Sequence, residues 1–146
     1  VLTEAEGVAD DAIVANCGHH TFLMCHSSGS SMELLQQSAA SLNVNIRLDD
    51  DLHNVAVQGP LALSILDAQA SIDLSSLGYF KHQEAKLFGH DVRISRTGYS
   101  GERGYEIFAP AHCVGEIWDK LCNLGVSPCS FTALDKVRIE AKVCAL

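Results

Sequence analysis

A glycine-rich run in the second half of the chain carries the residue types best suited to holding a ligand. Residues 96–107 read RTGYSGERGYEI, with three glycines, two tyrosines and two glutamates. Glycines let the backbone take positive φ angles and let a ligand approach closely. Glu106 lies inside a strand-like alternation, where a carboxylate needs a partner because burying it unpaired is costly. An ordinary hairpin with polar surface residues is the alternative for the loop taken alone.

Two strands are expected to position this run. Val92 and Ile94 before it, and Tyr105 and Ile107 after it, alternate with polar residues as a half-buried strand does. The pattern therefore predicts two strands joined by a glycine-rich connection.

The remaining elements follow from periodicity, proline and glycine positions, and capping residues. We predict a hairpin over 12–15 and 21–25, a helix from Met32 to Leu42 with a Ser30–Glu33 capping box, strands over 44–48 and 54–58, a helix over 61–68, strands over 83–87, 92–95 and 105–108, a helix from Pro110 to about Gly125, and a last helix over 134–141. Strand–strand–helix–strand occurs twice in this order. The arrangement predicts an α+β fold.

Charge and hydropathy exclude several classes of partner. The 146 residues include 10 basic and 18 acidic side chains, a formal net charge of −8. An acidic chain is poorly suited to bind a nucleic-acid backbone or an anionic membrane surface. No apolar run approaches the length of a membrane span. An acidic chain can still bind a small anionic ligand through a few local arginines.

The cysteines could form disulfides, and the cysteines and histidines could bind a metal ion. The six cysteines are scattered, without a Cys-x-x-Cys pair or a secretory signal, and this favours reduced thiols in a cytoplasmic protein. His19, His20 and His26 could cluster with Cys17 and Cys25 around a zinc ion. Their spacing fits no standard zinc pattern, and we expect no metal site.

Four blocks carry a resemblance to a known family. Residues 96–106 resemble the signature Arg-Thr-Gly-Tyr-Thr-Gly-Glu-x-Gly-(Phe/Tyr)-Glu of the glycine cleavage system T-protein, the tetrahydrofolate-dependent aminomethyltransferase. Residues 6–14 (EGVADDAIV), 57–60 (VQGP) and 134–141 (LDKVRIEA) are similar to three further blocks of that family, in the same order.

The resemblance implies a folate-binding α+β domain built from two interleaved ββαβ-like halves with antiparallel or mixed sheets. Residues 1–146 would form one partial domain, without the N-terminal segment and the C-terminal barrel domain of the family. The implied activity is transfer of an aminomethyl or methyl carbon to tetrahydrofolate. The implied partners are the folate itself and, for a true T-protein, a lipoyl-carrying protein.

Particular residues acquire expected roles from the matched motifs. Asp11, the second aspartate of the Asp10–Asp11 pair, would be the catalytic carboxylate. Tyr99 and Glu106 would hold the folate, since a carboxylate can accept two hydrogen bonds from the aminopyrimidine edge of a pterin.

Three further positions are expected to take part in folate binding. Asp10 is the neighbour of the catalytic carboxylate, and Gly98 allows close approach of the ligand. Arg96 could attract the glutamate tail of the folate, although a plain surface charge is an equal alternative.

Departures from the family pattern keep other readings open. Leu134 stands where the family has an arginine that helps hold the ligand, and leucine can neither donate a hydrogen bond nor carry charge. A folate-dependent demethylase acting on a small methylated donor is one alternative. A non-catalytic folate- or pterin-binding relic of the fold, or a self-associating one, is another. Strand edges without a covering domain predict a homo-oligomer, most simply a two-fold dimer.

Overall fold

The computed structural model describes residues 1–2, 7–26 and 31–143. Its residues divide into two compact units, one drawn mainly from Val1–Asp49 and one from Asp50–Cys144.

The first unit contains a two-stranded hairpin and one helix. Strand β1 (Ala12–Asn16) pairs antiparallel with β2 (Phe22–His26), with Ala12 opposite His26. The turn between them needs positive φ angles at Gly18, His19 and His20, of 79°, 50° and 58°. Helix α1 (Ser31–Ala39) follows.

The second unit is built on a four-stranded antiparallel sheet with the order β3-β6-β5-β4. The strands are β3 (Leu52–Gln58), β4 (His82–Leu87), β5 (His90–Ser95) and β6 (Gly104–Pro110). The helices are α2 (Ala62–Asp67), α3 (Ala111–Asn123) and α4 (Phe131–Glu140). The glycine-rich run thus connects two neighbouring strands, β5 and β6, and β3 lies on the other side of β6.

Local sequence signals set the ends of the two longer helices of this unit. Pro110, extended at φ −62° and ψ 152°, ends β6 and is the N-cap of α3. Gly125, at φ 89°, allows the chain to leave that helix. The Ser130 side chain accepts a hydrogen bond of 3.2 Å from the Ala133 amide and caps α4.

The core of the second unit lies where the sheet meets helices α2 and α3. Cys113, Ile117 and Leu121 recur every four residues on α3 and are all buried. The residues that pack with them come from the strands, from α2 and from the loop after it: Val55, Val57, Ala62, Leu66, Leu74, Leu77, Leu87, Val92, Ile94, Tyr105, Ile107 and Ala109.

Most of the predicted architecture is confirmed. The α+β class with antiparallel sheets is observed, and so is a strand on each side of the glycine-rich connection. The hairpin, the strand before Gly59, the helix after Pro110 and the last helix lie within a few residues of their predicted positions. Ser30, the predicted cap of the first helix, lies outside the described residues.

Two predictions in the first unit were wrong. Residues 44–48 form no strand, and Val44 and Leu48 are 57% and 66% exposed. Alternation indicates an amphipathic extended segment, but a strand also needs a neighbour whose backbone groups pair with its own. The helix predicted to reach Leu42 ends at Ala39, where the Leu42 amide donates to the Ala39 carbonyl in a turn at 2.8 Å.

The described residues also bear on disulfides and on membrane spans. Their five cysteines are free thiols. No helix in this part of the chain is long and apolar enough to cross a membrane.

The buried centre of β6 gives a first prediction. Ile107 is fully buried, whereas Ile139 on α4 is 61% exposed. Ile107→Ala should therefore lower the free energy of unfolding by roughly 3 kcal/mol through lost contacts and a cavity. The same change at Ile139 is the matched control and should stay below about 1 kcal/mol. Urea unfolding followed by circular dichroism measures both, and equal losses would contradict this location of the core.

Candidate functional site

Glu106 lies near the middle of β6, directly opposite Ala56 on β3 and Ser95 on β5. Its side chain is half-buried. Asn54 Nδ2 donates a hydrogen bond to Oε1 at 2.8 Å, and the Thr97 hydroxyl donates a short one to Oε2. Both donors are neutral, so they orient the carboxylate and leave its negative charge in place.

A small buried hydroxyl network supports the Oε2 side of this carboxylate. Thr97 and Ser95 are 4% and 8% exposed, and their hydroxyl oxygens are hydrogen-bonded at 2.9 Å. Thr97 therefore contacts Glu106 and Ser95 through one hydroxyl. Buried hydroxyls with defined partners restrict the rotamers of the groups they hold.

Gln58, the last residue of β3, is bonded to the glycine-rich connection at three places. Its Nε2 donates to the carbonyl of Thr97 at 3.2 Å and to that of Tyr105 at 3.3 Å. Its Oε1 accepts from the hydroxyl of buried Ser100 at 2.9 Å. One carboxamide thus contacts the start, the middle and the end of the connection.

Two of the glycines make room for that carboxamide. A Cβ added at Gly98 would lie 2.0 Å from Gln58 Oε1, and one added at Gly104 would lie 2.2 Å from the same atom. Real Cβ atoms do not approach so closely, so any larger residue would displace the Gln58 side chain. Gly98 is therefore explained by this contact, whichever ligand the site takes.

Tyr99 faces the last helix. Its ring is half-buried, and the guanidinium carbon of Arg138 lies 5.6 Å from the ring centre. Arg138 also donates to Asp135 Oδ1 at 2.9 Å and to the Val143 carbonyl at 3.3 Å. Gly101, at φ 77°, permits this approach of the helix, because its added Cβ would lie 2.2 Å from that of Ala141.

Leu134 is half-buried on the first turn of α4, one turn before Arg138. The sequence indicates a lost arginine at this position. The structure shows that a cation nevertheless lies beside the tyrosine of the signature.

Arg96 connects the start of the run to a preceding loop. Its Nη1 donates to the Leu77 carbonyl at 3.1 Å, while its backbone pairs with Phe80 and Lys81. This contact gives Arg96 a structural role, and its predicted role toward a folate tail stays a prediction.

The aspartate pair lies in the first unit, and its two members have different surroundings. Asp10 is buried, and its Oδ2 accepts a 2.5 Å hydrogen bond from the hydroxyl of fully buried Ser31. His26 Nδ1 lies 3.6 Å from the same oxygen. Asp11 is exposed. Of the two carboxylates, Asp11 is the one that solvent, and hence a ligand, can reach.

No group of three or more histidine, cysteine, aspartate or glutamate side chains among residues 1–2, 7–26 and 31–143 could hold a metal ion. His26, whose side chain could have taken part in a zinc cluster with His19, His20, Cys17 and Cys25, lies beside Asp10.

Comparison with known proteins agrees with this architecture. The family model of the GCVT N-terminal domain matches residues 1–146, which is the entire chain. The chain belongs to this family. The resemblance inferred from the four sequence blocks is thereby confirmed.

Similar proteins carry two kinds of name. The gamma subunit of a heme-dependent oxidative N-demethylase from Ectopseudomonas mendocina is 43% identical over 97% of this chain and 38% of that protein. Aminomethyltransferases of Deinococcus deserti and Thermotoga neapolitana are 35% and 34% identical, over 92% and 97% of this chain and 39% and 41% of theirs. The chain thus spans about two fifths of the length of these relatives.

Within the GCVT N-terminal domain, Gly98 and Tyr99 lie in the β5–β6 connection, with Arg96 at its start and Glu106 on β6 just after it. Sequence reasoning missed the residues that hold them: Asn54, Gln58, Ser95, Thr97 and Arg138. Two signals could have indicated them. Gln58 belongs to the Gln-Gly-Pro block, and Thr97 to the signature itself.

The contact between Gly98 and Gln58 gives a second prediction. Gly98→Ala should displace the carboxamide and lower the free energy of unfolding by about 1–3 kcal/mol through lost hydrogen bonds. In a Gln58→Ala background the same change should have almost no further effect. Gly115→Ala on α3, where an added Cβ meets nothing within 4 Å, is the control. Denaturant titration measures all four variants, and equal losses in both backgrounds would show that another group causes the clash.

Proposed function

We propose that this chain is the folate-binding part of a one-carbon transferase of the GCVT family, in which Glu106 receives the aminopyrimidine edge of tetrahydrofolate. The observation that carries this proposal is the state of the Glu106 carboxylate. It is half-buried in a sheet, and its bonds to Asn54 and Thr97 come from neutral groups.

The hydrogen-bonding capacity of Glu106 supports the proposal. An ionised carboxylate has about four acceptor sites, and the two observed bonds use one on each oxygen. Each oxygen therefore keeps a site for a ligand donor. An aminopyrimidine edge offers two adjacent N–H groups, whose spacing matches a carboxylate in a bidentate pair. Charge-assisted bonds of this kind are stronger than neutral ones, so this contact would dominate recognition of the pterin.

Tyr99 and Arg138 supply complementary chemistry. A half-buried aromatic ring can pack against a flat heterocycle or the aryl group of a folate. The nearby Arg138 guanidinium is paired with Asp135 and still offers further N–H donors beside the ring. These residues fit a flat, anionic ligand even though leucine occupies position 134.

The proposed transfer is redox-neutral. Bound tetrahydrofolate would supply N5 and N10, which take up one carbon at the oxidation level of formaldehyde and release two protons. Asp11 is proposed to accept or return a proton, or to stabilise an iminium-like cation, because a carboxylate can do either. Its exposure is consistent with this role, whereas Asp10 is buried against Ser31.

The proposed function has two versions, which differ in the molecule that donates the carbon. From a lipoyl-bound aminomethyl group, the carbon–sulfur and carbon–nitrogen bonds would break, and the protons would leave with the thiol and ammonia. From formaldehyde produced by oxidative demethylation elsewhere, the oxygen would leave as water. The aminomethyltransferase relatives favour the first donor and the demethylase gamma subunit favours the second.

An assay of the protein that carries this chain, offered each donor in turn, distinguishes them. The readout is methylene-tetrahydrofolate formed above the uncatalysed rate. Partnership with a lipoyl-carrying protein follows only if the aminomethyl donor is used. The predicted self-association stays a prediction, and light scattering behind a sizing column tests it.

The Glu106 contact gives a prediction for ligand binding. Glu106→Gln keeps the shape but removes the charge and replaces an acceptor with a donor. The loss of a charge-assisted pair should weaken tetrahydrofolate binding by on the order of 2 kcal/mol, about thirtyfold. Isothermal titration calorimetry measures the dissociation constant. Glu102→Gln, an exposed position in the same connection, makes the same chemical change and should leave affinity within about twofold.

Two results would contradict the proposal. Equal weakening by both variants would mean that general charge, and not this carboxylate, attracts the ligand. A natural chain that binds no tetrahydrofolate at millimolar concentration would remove the folate function from this chain.

A further inference from the structure

We infer that Gln58 is a positioning residue of this site: its carboxamide fixes the connection between β5 and β6 so that Tyr99 and Glu106 keep the arrangement a folate requires. The inference rests on the proposed function for the identity of the ligand. The positioning itself is argued from contacts within the second unit.

The regular pairing of β5 and β6 stops where the site begins. Their ladder runs from Arg93 opposite Phe108 to Ser95 opposite Glu106. Gln58 Nε2 donates on both sides of this point, to the carbonyl of Thr97 and to that of Tyr105. The carboxamide therefore bridges the two chain segments just after they leave the ladder.

Both bridged residues control the Glu106 carboxylate. Thr97 donates its hydroxyl to Oε2, so holding the Thr97 backbone also holds that hydroxyl. Tyr105 is the chain neighbour of Glu106, and its buried phenol is itself tied to the Leu74 carbonyl at 3.0 Å. Gln58 therefore acts on Glu106 through two routes without touching it.

The middle of the connection is held by the third bond. Ser100 donates to Gln58 Oε1 at 2.9 Å, and the Glu102 amide donates to the Ser100 oxygen at 3.2 Å. On the other side of Tyr99, Gly98 packs against the same carboxamide. Both chain neighbours of Tyr99 thus contact Gln58, which restricts where its ring can lie.

The connection needs both a donor for two carbonyls and an acceptor for the Ser100 hydroxyl, and the Gln58 carboxamide supplies both. Gln58 donates through nitrogen and accepts through oxygen at one point, and its partners Thr97 and Ser100 are each 4% exposed. A glutamate has the same shape but, when ionised, lacks donors and would place negative charge against two carbonyl oxygens. Buried carbonyls left without a donor are unfavourable, so the connection would move.

The test is Gln58→Glu compared with Gln83→Glu, an exposed position on β4 that undergoes the same chemical change. Calorimetry with tetrahydrofolate, carried out well below the melting temperature of each variant, should show roughly ten- to thirtyfold weaker binding for Gln58→Glu. Gln83→Glu should bind within twofold of the natural chain. An unchanged affinity of Gln58→Glu overturns the inference.

A second measurement separates positioning from general structural damage. If Gln58 acts through Glu106, Gln58→Glu should weaken binding clearly less in the Glu106→Gln background than in the natural chain, because the Glu106 contact is already lost and only the Tyr99 contact is left to disturb. Multiplication of the two single losses would mean independent damage and would overturn the inference.

A third measurement needs no ligand, so failure of the folate proposal leaves the inference testable. Amide nitrogen–proton NMR should show the Gly98, Gly101 and Gly104 signals shifted in Gln58→Glu and unmoved in Gln83→Glu. If the natural chain binds no folate but these signals shift, the proposed function fails and the positioning role stands. Unmoved glycine signals overturn the positioning role itself.

Discussion

The carboxamide of Gln58 is the interaction on which the glycine-rich connection depends. Strands β5 and β6 diverge at Ser95 and Glu106, and beyond this point the sheet no longer supplies a regular ladder. A side chain from β3 provides three hydrogen bonds there. Each is worth about 1 kcal/mol net, so together they are comparable to a fully buried leucine side chain. The sheet order β3-β6-β5 is what places a β3 residue within reach of the connection.

This arrangement explains two features of the signature that ligand binding alone does not require. Gly98 and Gly104 are needed because the carboxamide occupies the space their side chains would fill. Thr97 is needed because its hydroxyl links the bridged backbone to Glu106. The signature therefore contains residues that are proposed to contact the ligand and others, such as Thr97, Gly98 and Gly104, that hold those residues in place. The ligand contacts proposed for Tyr99 and Glu106 depend on that support.

The sequence predicted elements whose signals are local, and it failed where pairing is distant. Pro110 and Gly125 mark the ends of the helix after β6 within a few residues of the observed bounds. The alternation of 44–48 predicted a strand, but no periodicity reveals whether a neighbouring backbone is available to pair with it. The residues that support the site were not predicted for the same reason: Gln58 precedes its partners Thr97 and Tyr105 by 39 and 47 residues. Leu134 was likewise interpreted from its position in a motif, which indicated a lost cation. Whether a cation lies near Tyr99 depends instead on which residue of α4 faces the ring, and that residue is Arg138.

Charge placement within each unit bears separately on the proposed function. A folate has a hydrogen-donating pterin edge and an anionic tail, so the proposed ligand needs a hydrogen-bond acceptor at one place and a positive charge at another. In the second unit, Glu106 is held by neutral groups, while the positive charge of Arg138 lies at Tyr99. In the first unit, Ser31 and His26 hold one aspartate of the pair out of solvent, and the other stays accessible. The exposed Asp11 is therefore the member of the pair that suits the proton transfer proposed above. The net negative charge of the chain is therefore no obstacle to an anionic ligand, because local side chains, and not the sum over all 146 residues, set the potential that the ligand meets.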